Sequence, residues 1–140
     1  LVFITGGLIW GVNRLTELSY SFAYKEWLGK SLLILCVVVL FFALAAFRKL
    51  KTTVDPMNPD KASKLVTIGI YHITRNPMYL AMLLLLVGFA VKLGNPLNIF
   101  SISFFVWYMT QFQIKPEEEA LRKNFGEDYI DYCKKVRRWI

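Results

Sequence analysis

Apolar residues in this chain form long blocks with polar segments between them. The clearest block is Leu28–Phe47, which predicts a helix of about 30 Å, enough to cross a bilayer. Two more blocks, Met78–Val91 and Leu97–Ile114, are joined by the short segment Lys92–Pro96, which predicts an antiparallel helical hairpin. Together with the apolar start of the chain, the pattern predicts an all-α integral membrane protein with about four transmembrane helices.

The first apolar block, Leu1–Val12, is short for a membrane span, and it reaches the needed length only if it continues to Leu18. Its residues Gly7 and Gly11 have the four-residue spacing that permits close contact between membrane helices. This spacing would permit one face of the first span to pack closely on a neighbouring helix.

The tail Lys115–Ile140 is charged, and it predicts an amphipathic helix on the cytosolic membrane surface. Its apolar positions recur every three or four residues, and Gly126 predicts a break in the helix. Four basic residues near its end are expected to face lipid headgroups. The apolar stripe consists of Leu121, Phe125, Tyr129, Tyr132, Val136 and Trp139 or Ile140, and the basic residues are Lys134, Lys135, Arg137 and Arg138.

Composition supports a membrane protein. The chain is 56% hydrophobic with a mean hydropathy of +0.43, which is too apolar for an ordinary soluble domain. Its net charge of +7 lies beside the apolar blocks, which favours lipid headgroups as partners and argues against nucleic acid. Arg48, Lys49 and Lys51 place the end of Leu28–Phe47 in the cytosol. Four crossings then leave both termini cytosolic.

The segment Thr52–Lys64 contains two prolines among turn-forming residues, which predicts a cytosolic surface loop. We expect one domain, in which residues 1–64 supply two spans and this loop, and residues 65–140 supply the catalytic core. The chain has a single histidine, His72, and its cysteines Cys36 and Cys133 lack a paired spacing. The sequence therefore predicts no metal site and no disulfide framework.

Candidate chemistry begins in the segment Gly69–Leu80. Asn76 is a favourable N-cap residue and Pro77 suits the first helical turn, so a helix is expected to start here. The free N–H groups of that turn, together with Arg75, suit a carboxylate or a phosphate. In the alternative interpretation, Arg75 only anchors the helix at the lipid headgroups.

Three glutamates, Glu117–Glu119, follow the last apolar block at the same predicted membrane face as Arg75. One of them would accept an ammonium group while Arg75 binds a carboxylate, an arrangement suited to a zwitterion. The alternative is that Pro116 starts a helix and the glutamates complement its dipole. His72 is a candidate catalytic base, although a polar contact at the interface is the commoner role for such a residue.

Two motifs separated by a hairpin resemble the isoprenylcysteine carboxyl methyltransferase and phospholipid methyltransferase superfamily. The resemblance implies an integral-membrane enzyme that binds S-adenosylmethionine at the cytosolic face. The family usually has histidine between the arginine and the proline of the first motif, where this chain has Asn76. The matching residues are Gly69-Ile70-Tyr71, then Arg75-Asn76-Pro77-Met78-Tyr79-Leu80, then Glu117-Glu118 with Leu121, Phe125-Gly126, Tyr129 and Tyr132.

The same resemblance implies roles for individual residues. Arg75 and Glu118 are the implied catalytic residues, which orient the cofactor and the acceptor, and the aromatic residues shield the site. The implied cofactor-binding residues are Gly69, Ile70, Tyr71, His72, Asn76, Pro77, Tyr79, Glu117 and Glu118.

The acceptor is lipophilic or small, and the sequence leaves its reactive group open. A carboxylate or thiol is favoured because the sequence shows no plain base for an ammonium group, although a phospholipid amine is possible. Two other functions are compatible with the sequence. One is a nicotinamide-dependent membrane reductase related to sterol reductases, and the other is a membrane scaffold without enzymatic activity.

Overall fold

The structure, a computed structural model, describes residues 1–16, 18–50 and 65–140, and every regular element in these ranges is helical. The predicted loop Thr52–Lys64 lies outside the described residues. The all-helical prediction is thus confirmed for the part of the chain described. The elements are α1 (Val2–Thr16), α2 (Lys25–Leu50), a 3₁₀ turn (Gly69–His72), α3 (Pro77–Leu93), α4 (Asn98–Met109), a π turn (Thr110–Ile114) and α5 (Lys115–Lys135).

One helix in the described ranges, Lys25–Lys49, is long and apolar enough to cross a membrane by length and composition. It contains the predicted span Leu28–Phe47. Helix α3 is a shorter apolar helix, about 25 Å long at 1.5 Å per residue. By length and composition, one described helix could therefore span a membrane, and the arrangement with four spans stays a prediction.

Helix α2 packs antiparallel on α3, and this contact is the most extensive between any two described elements. The helices come closest where Gly29 meets Gly88. A Cβ added at Gly88 would lie 3.4 Å from the Gly29 carbonyl oxygen. The close contact that the spacing of Gly7 and Gly11 would permit is not formed among the described residues, because a Cβ at either position meets nothing within 4 Å. Their face of α1 points away from the neighbouring described helices.

The turn between α3 and α4 lies against the connection between α1 and α2. The Tyr20 N–H donates to the Gly94 carbonyl at 2.9 Å, and Asn95 Nδ2 donates to Thr16 Oγ1 at 2.7 Å. Gly94 ends α3 with φ of 74°, which is a left-handed conformation that favours glycine. The two connections therefore share one end of the molecule, as the predicted topology requires.

Gly94→Ala should destabilise the protein more than Gly69→Ala. Both glycines have positive φ, so both variants pay about 1–2 kcal/mol for the left-handed backbone. At Gly94 the new Cβ would also lie 2.4 Å from the Tyr20 carbonyl oxygen, whereas a Cβ at Gly69 meets nothing within 4 Å. Thermal unfolding in detergent measures the difference, and equal midpoints for the two variants would contradict the contact.

Helices α4 and α5 form one continuous path through the π turn. Pro116 lies in the first turn of α5 together with Glu117 and Glu118, as the alternative interpretation expected of a helix start, and a π turn precedes that helix. Proline has no N–H to donate to the carbonyl four residues earlier. In the π turn directly before Pro116, the Lys115 N–H donates to the Thr110 carbonyl, five residues earlier. The wider turn therefore lies where the helix lacks the donor of Pro116.

The amphipathic stripe of the tail is confirmed. Tyr129, Tyr132 and Val136 form a buried cluster, against which Leu65 and the stripe residues Leu121 and Phe125 pack. The break at Gly126 is also confirmed, since its φ of 51° and ψ of −123° are not helical. Helix α5 ends at Lys135, and the backbone at Val136 is extended. We call residues Val136–Ile140 the C-terminal segment.

Candidate functional site

Arg75 and Glu118 form an ion pair, although they lie 43 positions apart in the chain. Arg75 lies just before α3 and Glu118 lies in the first turn of α5, and Arg75 Nη2 is 3.1 Å from Glu118 Oε1. Their side chains are only 12% and 17% exposed. The two groups were expected to bind opposite ends of one ligand, and here they bind each other. The predicted convergence is nevertheless present.

Arg138 binds the same carboxylate. Its Nε donates to Glu118 Oε1 at 3.0 Å and its Nη2 donates to Oε2 at 2.7 Å, which is a bidentate pair. The prediction that Arg138 faces lipid headgroups is therefore wrong. A buried carboxylate with matching geometry competes well with a hydrated headgroup for a guanidinium. One carboxylate thus bridges two arginines.

The C-terminal segment is attached to the start of α3 through its backbone. The Arg75 N–H donates to the Arg137 carbonyl at 3.0 Å, and Asn76 Nδ2 donates to the Arg138 carbonyl at 2.9 Å. Thr74 Oγ1 donates to the same Arg138 carbonyl at 3.3 Å. Asn76 occupies the predicted N-cap position but makes no capping hydrogen bond with its side chain. Its amide holds the C-terminal segment instead.

Trp139 anchors the end of this segment. Its ring packs against the main hydrophobic core, and its Nε1 donates to Thr110 Oγ1 in the π turn at 3.3 Å. The C-terminal segment therefore runs from the start of α3 to the π turn and covers the Arg75–Glu118 pair between them.

Glu117 makes a separate contact beside this cluster. The Tyr79 hydroxyl donates to Glu117 Oε2 at 3.0 Å. Burial raises the pKa of Glu117 to about 7, the hydrogen bond from Tyr79 opposes that rise, and the charge of Glu118 adds to it. Near neutral pH this carboxyl group therefore exchanges a proton readily.

Glu117→Gln should remove a pH dependence of stability. The pKa of Glu117 rises from 4.5 to about 7 on folding, so the folded state binds more protons between these values and stability falls as pH rises through them. A shift of this size corresponds to roughly 3 kcal/mol. Unfolding midpoints of wild type should fall from pH 5 to pH 7.5, while those of Glu117→Gln change less. Glu119→Gln, at an exposed position, should behave as wild type.

The other predicted site residues lie around the 3₁₀ turn. Tyr71 is buried against Phe47, and its carbonyl accepts a hydrogen bond from the Tyr132 hydroxyl at 2.7 Å. Pro77 is buried as the first residue of α3, and Ile70 is half-buried. Gly69 and His72 are exposed. The structure brings Arg75, Asn76, Pro77, Tyr79, Glu117 and Glu118 to one end of the helices and leaves His72 on its outer surface.

Sequence reasoning missed four residues of this site: Thr74, Tyr132 as a hydrogen-bond donor, Cys133 and Arg138. The Cys133 thiol contacts the Arg75 guanidinium directly. A signal for Cys133 was available, because it lies four residues after Tyr129 on the buried face of α5. Arg138 had no such signal, since its role depends on the path of the extended C-terminal segment.

The charges of the site favour an anion. Arg75 and Arg138 share the single charge of Glu118, and Glu117 is partly protonated near neutral pH. Arg75 Nε is buried and has no hydrogen-bond partner among the described residues. A buried donor without a partner is costly, so a carboxylate or phosphate oxygen that reached it would gain a strong charge-assisted hydrogen bond.

Comparisons with known proteins agree on one family. Residues 17–128 match the family model described as phospholipid methyltransferase. The chain is 31% identical over 108 residues to protein-S-isoprenylcysteine O-methyltransferase B of Arabidopsis thaliana, covering 77% of this chain and 55% of that protein. It is 30% identical over 113 residues to a probable protein-S-isoprenylcysteine O-methyltransferase of Oryza sativa subsp. indica, covering 81% and 59%.

A third relative, protein-S-isoprenylcysteine O-methyltransferase of Saccharomyces cerevisiae, is 35% identical over 72 residues, covering 51% of this chain and 30% of that protein. The chain spans little more than half the length of the two plant relatives. No solved structure shows a significant match. The family match includes the Arg75 segment, α3, α4 and the glutamates of α5, and the chain therefore belongs to the phospholipid methyltransferase family.

Proposed function

We propose that this chain is an integral-membrane methyltransferase that uses S-adenosylmethionine and methylates a lipophilic or small acceptor. The observation that carries the proposal is the convergence of Arg75, Arg138 and Glu118 at the start of α3. The names of the relatives, which include isoprenylcysteine O-methyltransferases, support the reaction class. The active site would lie at the cytosolic face, with both termini cytosolic.

The residues present fit the cofactor. S-adenosylmethionine has a carboxylate and an ammonium group, and the partnerless Arg75 Nε–H suits the carboxylate. Glu118 is already bound by two guanidiniums, which leaves Glu117 as the freer acceptor for the ammonium. A cation next to Glu117 would favour its charged form. We therefore expect cofactor binding to lower the pKa of Glu117 and to release protons near pH 7.

The cofactor supplies a methyl group on a sulfonium, which a nucleophile displaces in line. The chain contributes position and exclusion of water. Arg75, Arg138 and Glu118 fix one another, and the buried rings of Tyr71 and Tyr79 keep the site apolar around them. Holding reactants in such a geometry is worth about 7–11 kcal/mol of a barrier.

There are two candidates for the reactive group of the acceptor. A carboxylate or thiol acceptor is favoured by the excess positive charge, which stabilises an anionic nucleophile beside the arginines. A phospholipid amine needs a base, and Glu117, whose pKa is about 7 in the protein without cofactor, would fill that role only if the cofactor ammonium is bound elsewhere. If Glu117 is that base, Glu117→Gln should slow methylation of phosphatidylethanolamine and leave the affinity for S-adenosylhomocysteine unchanged. If Glu117 binds the cofactor ammonium, the same variant should weaken S-adenosylhomocysteine binding and slow methylation of either acceptor.

Titration of the purified protein with S-adenosylhomocysteine and with NADPH, followed by calorimetry, tests the proposal. We expect S-adenosylhomocysteine to bind, and Arg75→Ala to weaken it at least tenfold. Arg122→Ala is the control, because Arg122 is exposed on α5. Binding of NADPH alone would favour the membrane reductase, and binding of neither would favour a scaffold without enzymatic activity.

A further inference from the structure

A groove runs between α1 and α2, with α3 as its floor. Helix α1 packs on α3 and α4, whereas α2 packs mainly on α3, so the first two helices diverge over the surface of α3. The groove has a volume of about 530 Å³ and extends along α2 from Glu26 to Leu33. That volume is within the range of small-molecule sites in proteins.

This groove is separate from the Arg75–Glu118 site. It lies at the start of α2, near Gly29, whereas Ala43 and Ala46 of the same helix pack beside Tyr71. Gly29 and Ala43 are about 20 Å apart along a helix with a rise of 1.5 Å per residue. The groove is thus at the opposite end of the helices from the proposed methyl-transfer chemistry.

Glycines open the groove. Gly6 of α1, Gly29 of α2 and Gly88 of α3 all line it. Gly29 and Gly88 are buried and bring α2 and α3 together at the floor, while a Cβ at Gly6 would meet nothing within 4 Å. The space above Gly6 is therefore free for a ligand.

The groove has a polar end and an apolar end. Glu26, Lys30 and Lys92 lie at the end of the molecule that holds the two tight connections. Leu33 and Leu85 lie about two helical turns deeper along α2 and α3, and the residues that α1 contributes, Val2, Phe3 and Gly6, are apolar. The two helices that supply charges to the groove, α2 and α3, thus place them at the same end of it. This polarity matches an amphiphile with its headgroup at the membrane surface.

We propose that this groove binds one membrane phospholipid, with an acyl chain between α1 and α2 and the phosphate at Lys30 and Lys92. Water gains no hydrogen bonds from the apolar walls, so a lipid chain is the better occupant of a groove in a bilayer. Lys30 and Lys92 exceed Glu26 by one positive charge, and Glu26 lies 3.9 Å from Lys30. The excess charge favours an anionic lipid such as phosphatidylglycerol over phosphatidylcholine.

A pair of glycine variants tests whether the acyl chain of the lipid lies in the groove. The delipidated protein is mixed with phosphatidylglycerol in detergent, and retained lipid is counted by native mass spectrometry. Gly6→Leu should fill the groove and reduce retention at least tenfold. Gly11→Leu is the matched control, because a side chain there also meets nothing within 4 Å but does not line the groove. Equal retention by the two variants would overturn the proposal.

The double variant Lys30→Gln, Lys92→Gln tests the headgroup without altering a buried position, since both lysines are exposed. It should lose its preference for phosphatidylglycerol, whereas Lys134→Gln, in an exposed pair with Asp131, should keep it. Equal retention of diacylglycerol and phosphatidylglycerol by wild type would contradict the phosphate site. If the protein forms a stable dimer that retains no lipid, the groove is an interface with a second copy of the chain, and the proposal is overturned.

Discussion

Glu118→Ala should strongly weaken the binding of S-adenosylhomocysteine and lower the stability of the protein. The substitution leaves Arg75 and Arg138 facing each other without their shared carboxylate, and Arg75 is only 12% exposed. Breaking a buried pair in this way costs about 3–5 kcal/mol. Because the arginines then repel and move, we expect affinity to fall by roughly a hundredfold, which corresponds to about 2.7 kcal/mol.

Two further variants separate folding from binding in this experiment. Glu118→Gln keeps the shape and an acceptor oxygen while it removes the charge, so it should fold better than Glu118→Ala and still bind weakly. Glu119→Ala, at an exposed neighbouring position, should match wild type in both calorimetry and thermal unfolding. Tight binding by a folded Glu118→Ala variant would show that the ligand does not depend on this cluster.

Deletion of the C-terminal segment should have an effect of similar size. Residues Val136–Ile140 supply the carbonyls that accept hydrogen bonds from Thr74, Arg75 and Asn76, as well as the Arg138 side chain. Each lost hydrogen bond costs about 0.5–1.5 kcal/mol, and more where a charge takes part. A chain ending at Lys135 should therefore retain its helix content and lose S-adenosylhomocysteine binding by roughly a hundredfold.

The matched control is a chain that lacks only Ile140, which is 70% exposed. It keeps Arg138 and the buried contact of Trp139, so its binding should equal that of the full chain. If the longer deletion bound as well as the control, the C-terminal segment would be a covering element without a role in the site. Circular dichroism on both deletions establishes that the helices persist.

The sequence by itself determined the helices and the residues from which a site could form. Apolar blocks of helical length predicted α2 and α3, and the period of the tail predicted the buried face formed by Tyr129, Tyr132 and Val136. Glycine and proline effects are local, so the break at Gly126 and the start of α3 at Pro77 were also predictable. The motif around Arg75 and the glutamates predicted which residues belong to the candidate site.

Only the tertiary structure decided which of those residues meet. The pairing of one carboxylate with Arg75 and Arg138, the attachment of the C-terminal segment to α3, and the close contact of Gly29 with Gly88 join positions far apart in the chain. The physical reason is the distance along the sequence over which each interaction acts. Helix period, capping and turn preferences depend on a few neighbouring residues, whereas an ion pair or a groove depends on how whole helices pack and where an extended segment turns.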